Sequence, residues 1–265
     1  MNQSEFKQFC QDLHQRGELT HISFDARDIE AGSMFFAVAG NIVDGHKFIQ
    51  QVKRDGARYI ISQDKNYAEL AIIVCDIRKA IAIAAGVLYP DLPKNIVAVT
   101  GTNGKTSVVN YFMQICALAG KKAAAIGTIG VKSNDIEVEK AFMGEEYASL
   151  TSPNPILFRQ ILHKLAALGV TDLAFEASSH GLDQNRAYGA KLKAAGFTSF
   201  SRDHLDYHGD MQNYLAAKLK IFDMLESGGV AIYPANINNF ADIENYCYGK
   251  TTIIIGRDLP YEVSA

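Results

Sequence analysis

From residue 96 onward, short runs of apolar and β-branched residues alternate with longer segments whose apolar positions recur at helical spacing. The predicted strands are IVAVT, KAAAIGTIGV, DLAFEA, AAGFTSF and VAIYP. The predicted helices are SVVNYFMQICALAG, ILFRQILHKLAALG and NYLAAKLKIFDMLES. Regular succession of strand and helix is typical of an α/β fold in which helices cover both faces of a parallel sheet, and we predict that fold here.

The first ninety residues form a separate, smaller pattern. Short β-rich runs, SMFFAVAG, ARYIIS and AIIVCDI, surround the segment FIQQVKRDGA, whose apolar positions have helical spacing. The stretch DLPKN at 91–95 combines proline with polar residues and separates an apolar helix from the strand IVAVT, which is typical of a linker. Because 265 residues suffice for two domains, we predict a small α/β domain over 1–90 and a second domain over 91–265.

Composition places the chain among ordinary globular proteins, with 48% hydrophobic and 21% charged residues. A formal net charge of -3 creates no field that would gather nucleic acid or anionic lipid, so we expect neither nucleic acid nor a membrane as partner. The first residues lack the apolar segment of a secretory signal, and the longest apolar run, residues 80–89, is shorter than the about 20 residues that span a bilayer. We therefore expect a cytoplasmic protein.

The strongest chemical signal is the hexapeptide GTNGKT at 101–106, which directly follows the strand IVAVT and opens the next predicted helix. Glycines allow the tight turn that aims successive N–H groups at one anion, and the helix N-terminus adds about half a positive charge. This arrangement favours a nucleotide site, with Lys105 reaching the β- and γ-phosphates, over a glycine-rich structural turn. Val99 occupies the first glycine position of the longer phosphate-loop pattern. The residues predicted to bind the nucleotide are Gly101, Thr102, Asn103, Gly104, Lys105, Thr106 and Ser107.

Longer sequence blocks connect this loop to a known family. The block TGTNGKTS at 100–107 resembles the ATP loop of the Mur ligases and of the folylpolyglutamate synthases. Two later blocks, EASSHGLDQNR at 176–186 and SRDHLDYHG at 201–209, resemble the corresponding segments of MurE-type Mur ligases, which add the third residue of the peptidoglycan stem peptide. Upstream, the segments DAR, GSMFFA and DGH between residues 25 and 46 are similar to the uridine-binding domain of the same family.

The resemblance implies a first domain that binds the UDP-muramoyl substrate and a partial central domain that binds ATP, with ATP and Mg²⁺ as cofactors. The implied activity is the addition of a diamino acid, meso-diaminopimelate or lysine, to UDP-N-acetylmuramoyl-L-alanyl-D-glutamate in peptidoglycan synthesis, through an acyl phosphate. MurE-type ligases continue into a third domain that binds the amino acid. The resemblance therefore also implies that this chain is truncated before that domain, and that catalysis would require a separate chain to supply it.

Candidate metal ligands follow from both position and resemblance. Glu176 closes the apolar run DLAFE, and open α/β sheets bind ligands at the carboxyl ends of their strands; a solvated strand-end carboxylate is the alternative. The resemblance implies that Glu176 and His204 help to hold Mg²⁺, with the Thr106 hydroxyl as a further ligand. His204 and His208 are four residues apart, but Leu205 stands where an H-E-x-x-H motif requires Glu, so zinc is not favoured and we expect His208 to be structural.

Lys218 is the remaining catalytic candidate. In the segment NYLAAKLKIF, helical spacing places Lys218 on the same side as Tyr214, Leu215 and Phe222. A lone lysine on such a helix is usually a surface residue whose aliphatic stem packs on apolar neighbours. In the MurE-type pattern, however, the lysine of A-A-K is carbamylated and becomes a carboxylate-like ligand of a second Mg²⁺, and the resemblance implies this role for Lys218.

The resemblance also implies a set of substrate-binding residues. The segment TSP at 151–153 is similar to the T-T-P segment that meets the muramoyl peptide, although Thr151 and Ser152 before a helix are equally good N-cap residues. The guanidinium of Arg186 suits two-point pairing with a carboxylate or a phosphate. The full implied set is Thr151, Ser152, Ser178, Gln184 and Arg186 around the muramoyl peptide, and Ala26, Asn41, Ile42 and Val43 around uridine.

Departures from the family pattern keep two other interpretations open. Ser199 stands where the T-N-L segment has Asn, the segment VAIYPANINN differs from V-I-N-x-D-D, and Ala26 replaces a usual serine. A truncated remnant that binds nucleotide or UDP-sugar without catalysis is the first alternative. A folylpolyglutamate synthase relative is the second, although such an enzyme does not need a uridine-type first domain.

Overall fold

Two compact units make up the chain in the computed structural model. The described residues are 1–40, 43–144, 147, 151–256 and 263–264. The first unit comprises Met1–Pro90 and Pro155–Gln160, and the second comprises Asp91–Asn154 and Ile161–Ala265. Each unit has a β-sheet of its own.

The first unit is built on a small parallel sheet with the strand order β1-β2-β3-β4. Its strands are β1 (Ile22–Ser23), β2 (Met34–Phe36), β3 (Tyr59–Ser62) and β4 (Ile72–Ile73). Its helices are α1 (Gln3–Gln15), α2 (Ile49–Arg54) and α3 (Ile77–Leu88), with 3-10 turns at Gly45–Phe48 and Lys65–Tyr67. The β-rich runs of this region each contribute one strand, and the segment FIQQVKRDGA contributes α2.

Helices α1 and α3 carry the apolar faces of this unit. The Asn2 side chain accepts a hydrogen bond from the Glu5 N–H and the Glu5 carboxylate accepts one from the Asn2 N–H, which fixes the start of α1 as a capping box. The apolar run at 80–89 falls on α3, whose buried residues are Ile77, Ala80, Ile81, Ala82, Ala84 and Ala85. This run is therefore part of a core helix. Among the described residues, no helix is both long enough and apolar enough to span a bilayer.

The second unit contains an eight-stranded sheet with the order β12-β11-β10-β9-β5-β8-β6-β7. Its strands are β5 (Asn95–Thr100), β6 (Ala123–Gly127), β7 (Gly130–Ser133), β8 (Asp172–Glu176), β9 (Leu192–Phe197), β10 (Leu225–Pro234), β11 (Thr251–Ile255) and β12 (Val263–Ser264). Pairing is antiparallel between β6 and β7 and between β11 and β12, and parallel between the other neighbours. The predicted α/β fold with a mainly parallel sheet is confirmed.

Helices connect these strands in the predicted alternation. They are α4 (Lys105–Leu118), α5 (Ile136–Ala141), α6 (Pro155–Ala167), α7 (Ser179–Asp183), α8 (Leu205–His208), α9 (Met211–Leu219) and α10 (Phe240–Tyr246). The first residues of α6 are grouped with the first unit and its remaining residues with the second. Helix α4 packs on β6 and β8 through Val109 and its neighbours Phe112 and Met113, which join a cluster with Val99, Ala125 and Ala174.

Two predicted elements differ in the structure. The segment KAAAIGTIGV is not one strand but the hairpin β6–β7, because the chain reverses before Gly130, which adopts a positive φ of 84°. The helix predicted over NYLAAKLKIFDMLES ends at Leu219 and continues as a 3-10 turn at Lys220–Met224. Leu225 then turns to an extended conformation and pairs with Leu192 of β9, so strand β10 begins inside the predicted helix.

The centre of the larger sheet defines where a site can form. Strands β9, β5 and β8 are adjacent and parallel, and the loops that follow them leave the same edge. Thr100, Glu176 and Phe197 end these strands and are all buried. Loops at the carboxyl ends of neighbouring parallel strands are the usual place for ligands in open α/β sheets.

Candidate functional site

The glycine-rich loop at 101–104 joins the end of β5 to the start of α4. Gly104 is the N-cap of α4 and adopts φ 88°, a conformation that favours glycine. Gly101 adopts φ 144°, and a Cβ at this position would overlap the Thr198 Oγ1 atom. Both glycines are therefore required by the local structure, and the loop opens onto a helix N-terminus as the sequence predicts.

A second loop, at 198–201 after β9, holds the glycine-rich loop. Thr198 Oγ1 donates to the Asn103 carbonyl at 2.5 Å. Ser199 Oγ accepts from the Asn103 N–H at 2.9 Å and also contacts the Asn103 carbonyl at 3.1 Å, while the Ser199 carbonyl accepts from the Thr102 N–H at 2.8 Å. The residue that departs from the family pattern, Ser199, thus bonds directly to the peptide of the glycine-rich loop.

Two lysines meet at one carbonyl of this loop. Lys105 Nζ donates to the carbonyls of Gly101 and Thr102 at 2.9 and 3.0 Å, and Lys218 Nζ donates to the same Gly101 carbonyl at 2.8 Å. Lys218 is only 1% exposed, with its ammonium 4.6 Å from the centroid of the Tyr214 ring. The alternative of a surface lysine therefore does not hold for Lys218.

Burial changes the protonation of both amines. Burial lowers the pKa of Lys218 to about 7, and the neighbouring charge of Lys105 acts in the same direction. Burial also lowers the pKa of Lys105, against the opposing charges of Glu176 and Asp203. A substantial fraction of Lys218 is therefore a neutral amine near pH 7, which is the form that reacts with CO₂.

Glu176 is buried at the carboxyl end of β8, with 2% of its surface exposed, so the alternative of a solvated strand-end residue is wrong. Its Oε1 accepts from Thr106 Oγ1 and from the Thr128 N–H, both at 2.9 Å. Its Oε2 accepts a longer bond of 3.4 Å from Thr128 Oγ1. Within the described part of the chain, no Lys, Arg or His nitrogen forms an ion pair with this carboxylate.

This environment fits a divalent cation. A buried carboxylate without an ion-pair partner is costly, and a bound cation removes that cost. The carboxylate of Glu176 and the hydroxyl of Thr106 are also oxygen donors, the ligand type that Mg²⁺ prefers. Both lie beside the glycine-rich loop, where the phosphates of a nucleotide are expected.

His204 contacts side chains other than this pair of oxygen donors. It adopts a positive φ of 51°, its side chain is 47% exposed, and its ring lies 4.9 Å from that of His180 and 6.2 Å from that of Tyr214. Among the described residues, no group of three or more His, Cys, Asp and Glu side chains is arranged to hold a metal. The structure therefore brings together Thr106 and Glu176, but it does not place His204 in a cluster of that size. His208 is 9% exposed and packs against Tyr214.

The residues predicted to meet the muramoyl peptide form one hydrogen-bonded group. Ser152 Oγ accepts from the Ser178 N–H at 3.1 Å and from Ser178 Oγ at 2.9 Å. Arg186 donates to the Ser152 carbonyl at 2.6 Å and, through two nitrogens, to Gln184 Oε1 at 3.2 and 3.0 Å. Thr151 Oγ1 lies 3.0 Å from Thr128 Oγ1. The segment at 151–152 and the block at 176–186, distant in sequence, are thus joined.

Of the candidate uridine-binding residues in the first unit, the structure describes Ala26 and Val43. Ala26 is partly buried and packs against the cluster that contains Phe35 and Ile49. Val43 is 55% exposed, and its carbonyl accepts from the Gly40 N–H at 3.0 Å. Asn41 and Ile42 lie outside the described residues.

The histidine of the DGH segment has a structural explanation. His46 is buried and its two ring nitrogens contact Asp44 Oδ1 at 2.6 Å and Ser62 Oγ at 2.8 Å. Its ring stacks on Tyr67 at a centroid distance of 4.4 Å. These contacts tie the loop after β2 to the end of β3.

Gly127 and Thr128, which no sequence pattern indicated, lie against Glu176. Tyr214, which helical spacing places on the same side as Lys218, lies over its ammonium. Gly127 ends strand β6 and Thr128 follows it. Their contact depends on β6 and β8 being neighbours in the sheet, which the sequence order does not show.

A mainly parallel α/β sheet with a glycine-rich loop between its central strand and a helix defines the class of phosphate-loop α/β proteins. Within that class, residues 99–258 match the profile of the Mur ligase middle domain, and residues 18–99 match that of the Mur ligase family catalytic domain. The chain belongs to the Mur ligase family.

Curated relatives are similar over most of this chain. A UDP-N-acetylmuramoyl-L-alanyl-D-glutamate–2,6-diaminopimelate ligase of Rickettsia bellii is 44% identical over 236 residues, which are 88% of this chain and 48% of the relative. The ligase of the same name from Bradyrhizobium diazoefficiens is 43% identical over 222 residues, 83% of this chain and 44% of the relative. The chain therefore spans about half the length of the curated relatives that it matches.

Solved structures agree on the fold. A UDP-N-acetylmuramoyl-L-alanyl-D-glutamate–2,6-diaminopimelate ligase superposes with a TM-score of 0.75 at 26% identity, over 91% of this chain and 49% of that chain. MurF of Thermotoga maritima in complex with ADP gives 0.56 at 17% identity, over 91% of this chain and 51% of that chain. An FPGS–AMPPCP complex gives 0.51 at 14% identity and covers only 68% of this chain.

Proposed function

We propose that this chain forms the ATP-binding and UDP-muramoyl-binding part of a ligase that adds a diamino acid to UDP-N-acetylmuramoyl-L-alanyl-D-glutamate in peptidoglycan synthesis. The observation that carries the proposal is the meeting of Lys105, Lys218, Thr106 and Glu176 around a glycine-rich loop at the carboxyl edge of the sheet. The names of the relatives that match this chain support the same reaction. They also favour meso-diaminopimelate over lysine as the added residue.

The nucleotide is held by the loop and its lysine. Residues 101–107 surround the β- and γ-phosphates with N–H groups, and Lys105 moves its ammonium from the Gly101 and Thr102 carbonyls to the phosphate oxygens. Solved relatives of the same fold have been described with ADP and with AMPPCP, which supports an ATP site here.

Mg²⁺ fits beside Thr106 and Glu176, and there it supplies positive charge that offsets the charge developing on the transferred phosphoryl group. Thr106 and Glu176 hold the ion through oxygen atoms. Lys218, as a carbamate, provides an anionic ligand for a second ion, and His204 completes the set that the family resemblance implies. Neutral Lys218 at the Gly101 carbonyl is the precursor of that carbamate.

The muramoyl dipeptide is proposed to bind beside this centre. The hydrogen-bonded group of Ser152, Ser178, Gln184 and Arg186 presents a guanidinium suited to the glutamate carboxylates or to the diphosphate. Thr151 extends this group. The first domain, residues 1–90, is proposed to hold uridine through Ala26 and the segment at 41–43, and the domain at 91–265 is proposed to hold ATP.

The proposed reaction has two steps. A carboxylate oxygen of the dipeptide attacks the γ-phosphorus of ATP, ADP leaves, and an acyl phosphate forms. The amine of the diamino acid then attacks the acyl carbon, an amide bond forms, and phosphate leaves with the amine proton released. This chain's residues orient the two substrates and neutralise charge. The site for the diamino acid is proposed to come from a further domain.

A binding protein without catalysis is the second candidate. The observation that favours it is Ser199, which stands where the family pattern has Asn and bonds to the Asn103 peptide of the glycine-rich loop. Both candidates require the nucleotide and UDP-muramoyl sites, and they differ in whether an acyl phosphate forms.

Nucleotide binding tests the proposal directly. Calorimetric titration of the chain with AMPPCP and Mg²⁺ should show one-to-one binding, and Lys105→Met should weaken it roughly tenfold or more, because one charge-assisted contact to phosphate is lost. Lys140→Met serves as the control, since Lys140 pairs with exposed Glu137 on α5. Absence of AMPPCP binding to the wild-type chain would contradict the proposal.

A further inference from the structure

Glu176 reaches its position because the neighbouring strand has no side chain there. Gly127 ends β6, and the register of β6 with β8 places Ile126 opposite Phe175, one residue before this pair. A Cβ built on Gly127 would overlap Glu176 Oε1 and would lie 2.7 Å from its Cδ and 2.9 Å from its Cγ. The carboxyl group of Glu176 therefore fills the space that a side chain at 127 would need.

The backbone at Gly127 does not itself require glycine. Gly127 is not among the glycines with positive φ, whereas Gly130 at the start of β7 is, with φ 84°. An alanine at 127 is compatible with the strand conformation, and the three atoms nearest to its Cβ all belong to the Glu176 side chain. Glycine is thus needed at this position for space and not for conformation.

Thr128 fixes the carboxylate that occupies this space. Its N–H donates to Glu176 Oε1 at 2.9 Å, and its hydroxyl donates to Oε2 at 3.4 Å. Because a hydroxyl has a single proton, Thr128 Oγ1 then accepts from Thr151 Oγ1, 3.0 Å away. The resulting chain runs from Thr151 through Thr128 to Glu176, and it leaves the lone pairs of Thr151 available as acceptors.

The two carboxylate oxygens of Glu176 therefore differ in the hydrogen bonds that they accept. Oε1 already accepts two bonds of 2.9 Å, from Thr106 Oγ1 and from the Thr128 N–H, whereas among the described residues Oε2 accepts only the longer bond from Thr128 Oγ1. We propose that Gly127 and Thr128 are positioning residues that hold Glu176 beside Thr106 and leave its Oε2, the oxygen with fewer hydrogen bonds, available to the divalent cation of the phosphate loop. The identity of that cation rests on the proposed function, but the packing of Glu176 against Gly127 and Thr128 does not.

A double-mutant cycle in urea unfolding tests this packing without any ligand. Gly127→Ala should lower the folding equilibrium constant about tenfold in the wild-type chain, because Glu176 loses its hydrogen bonds when it is displaced. In the Glu176→Ala background the same substitution should change the constant by less than about twofold. Gly196→Ala is the matched control, since a Cβ there meets Val99 and Ala98 only at 3.8 Å or more. Equal effects of Gly127→Ala in both backgrounds would contradict the inference that Gly127 makes room for the Glu176 carboxyl group.

Mg²⁺ dependence tests the positioning role. AMPPCP affinity is measured in EDTA and over a series of Mg²⁺ concentrations for wild type, Gly127→Ala, Gly196→Ala and Glu176→Gln. Gly127→Ala should weaken the apparent Mg²⁺ affinity about tenfold, as Glu176→Gln does, and leave affinity in EDTA unchanged. A Gly127→Ala chain with wild-type Mg²⁺ dependence beside a defective Glu176→Gln chain would overturn positioning alone. A wild-type chain whose AMPPCP binding does not depend on Mg²⁺ would overturn the proposed function and its cation. The urea double-mutant cycle would still test whether Gly127 makes room for the Glu176 side chain.

Discussion

Lys218 illustrates how the meaning of one side chain depends on its surroundings. Its sequence context is compatible with a surface lysine, but in the structure its ammonium is buried between the Gly101 carbonyl and the Tyr214 ring. Burial favours the neutral amine, and the neighbouring charge of Lys105 adds to that effect on its pKa. The resemblance to carbamylated lysines of the family therefore has a physical basis at this residue.

Carbamylation of Lys218 is a residue-scale prediction. With ¹³C-labelled bicarbonate at pH 8, the chain should show a carbamate carbonyl signal in ¹³C NMR, because an amine with a pKa of about 7 is mostly neutral there. The signal should decrease as the pH is lowered through 7 and the amine becomes protonated.

Lys218→Met is the variant that assigns the signal. It should remove the carbamate resonance and leave the fold intact, because the Gly101 carbonyl still accepts from Lys105. Lys220→Met, which replaces a half-exposed neighbour, should retain the resonance. A spectrum of the wild-type chain without a carbamate signal in excess bicarbonate would contradict this role for Lys218.

At the scale of elements, the strand and helix alternation of the second domain was readable from the sequence because buried parallel strands and amphipathic helices have distinct periods. The exceptions lie where tertiary contacts override the local pattern. The β6–β7 hairpin depends on the turn before Gly130, and β10 starts at Leu225 because that residue pairs with β9. Neither pairing partner is visible in the local sequence.

The candidate site likewise depends on strand neighbours that the local sequence does not show. Sequence and resemblance singled out the loop, Lys105, Glu176 and Lys218 as candidates. The loop, Lys105 and Glu176 stand at strand or helix ends, and Lys218 stands in the A-A-K segment of the family pattern. Sequence and resemblance could not identify Gly127, because its role follows from which strand lies beside β8. Residues that shape a site through an absent side chain carry no chemical signal of their own.

Asp172 supports an element-scale prediction about stability. It lies at the start of β8 and accepts hydrogen bonds from Asn95 of β5 at 3.0 Å, from Lys121 before β6 at 3.1 Å and from Thr171 at 2.7 Å. Burial alone would raise the pKa of Asp172, but the hydrogen bonds from Thr171, Asn95 and Lys121 outweigh burial and lower it below 3.8. The ionised carboxylate therefore joins neighbouring strands of the sheet.

Asp172→Asn should reduce the free energy of unfolding by about 1–3 kcal/mol at pH 7, measured by urea denaturation. Since the folded-state pKa is depressed, the stabilisation is present above pH 3.8 and is lost as the pH falls through the folded-state pKa, so the two chains should converge in acid. Asp55→Asn, at an exposed helix end, is the control. A difference that stays constant from pH 7 down to strongly acidic pH would contradict this account.

At the scale of the whole molecule, two units carry two sets of candidate residues. The net charge of -3 provides no general attraction for a polyanionic substrate, so the proposed phosphate-containing ligands must be held by local groups. Lys105 and Arg186 of the larger unit are the groups that we propose for this role. The chain spans about half the length of its curated relatives, so ligand binding is a more direct test of the proposal than turnover.

The most direct measurement is calorimetric titration of this chain, with Mg²⁺ and AMPPCP present, by UDP-N-acetylmuramoyl-L-alanyl-D-glutamate. We expect one-to-one binding of the UDP-muramoyl dipeptide, weakened roughly tenfold or more by Arg186→Met because a guanidinium pairing with an anion is lost. Failure of the wild-type chain to bind the UDP-muramoyl dipeptide would contradict the proposal that it carries the substrate sites of a Mur ligase.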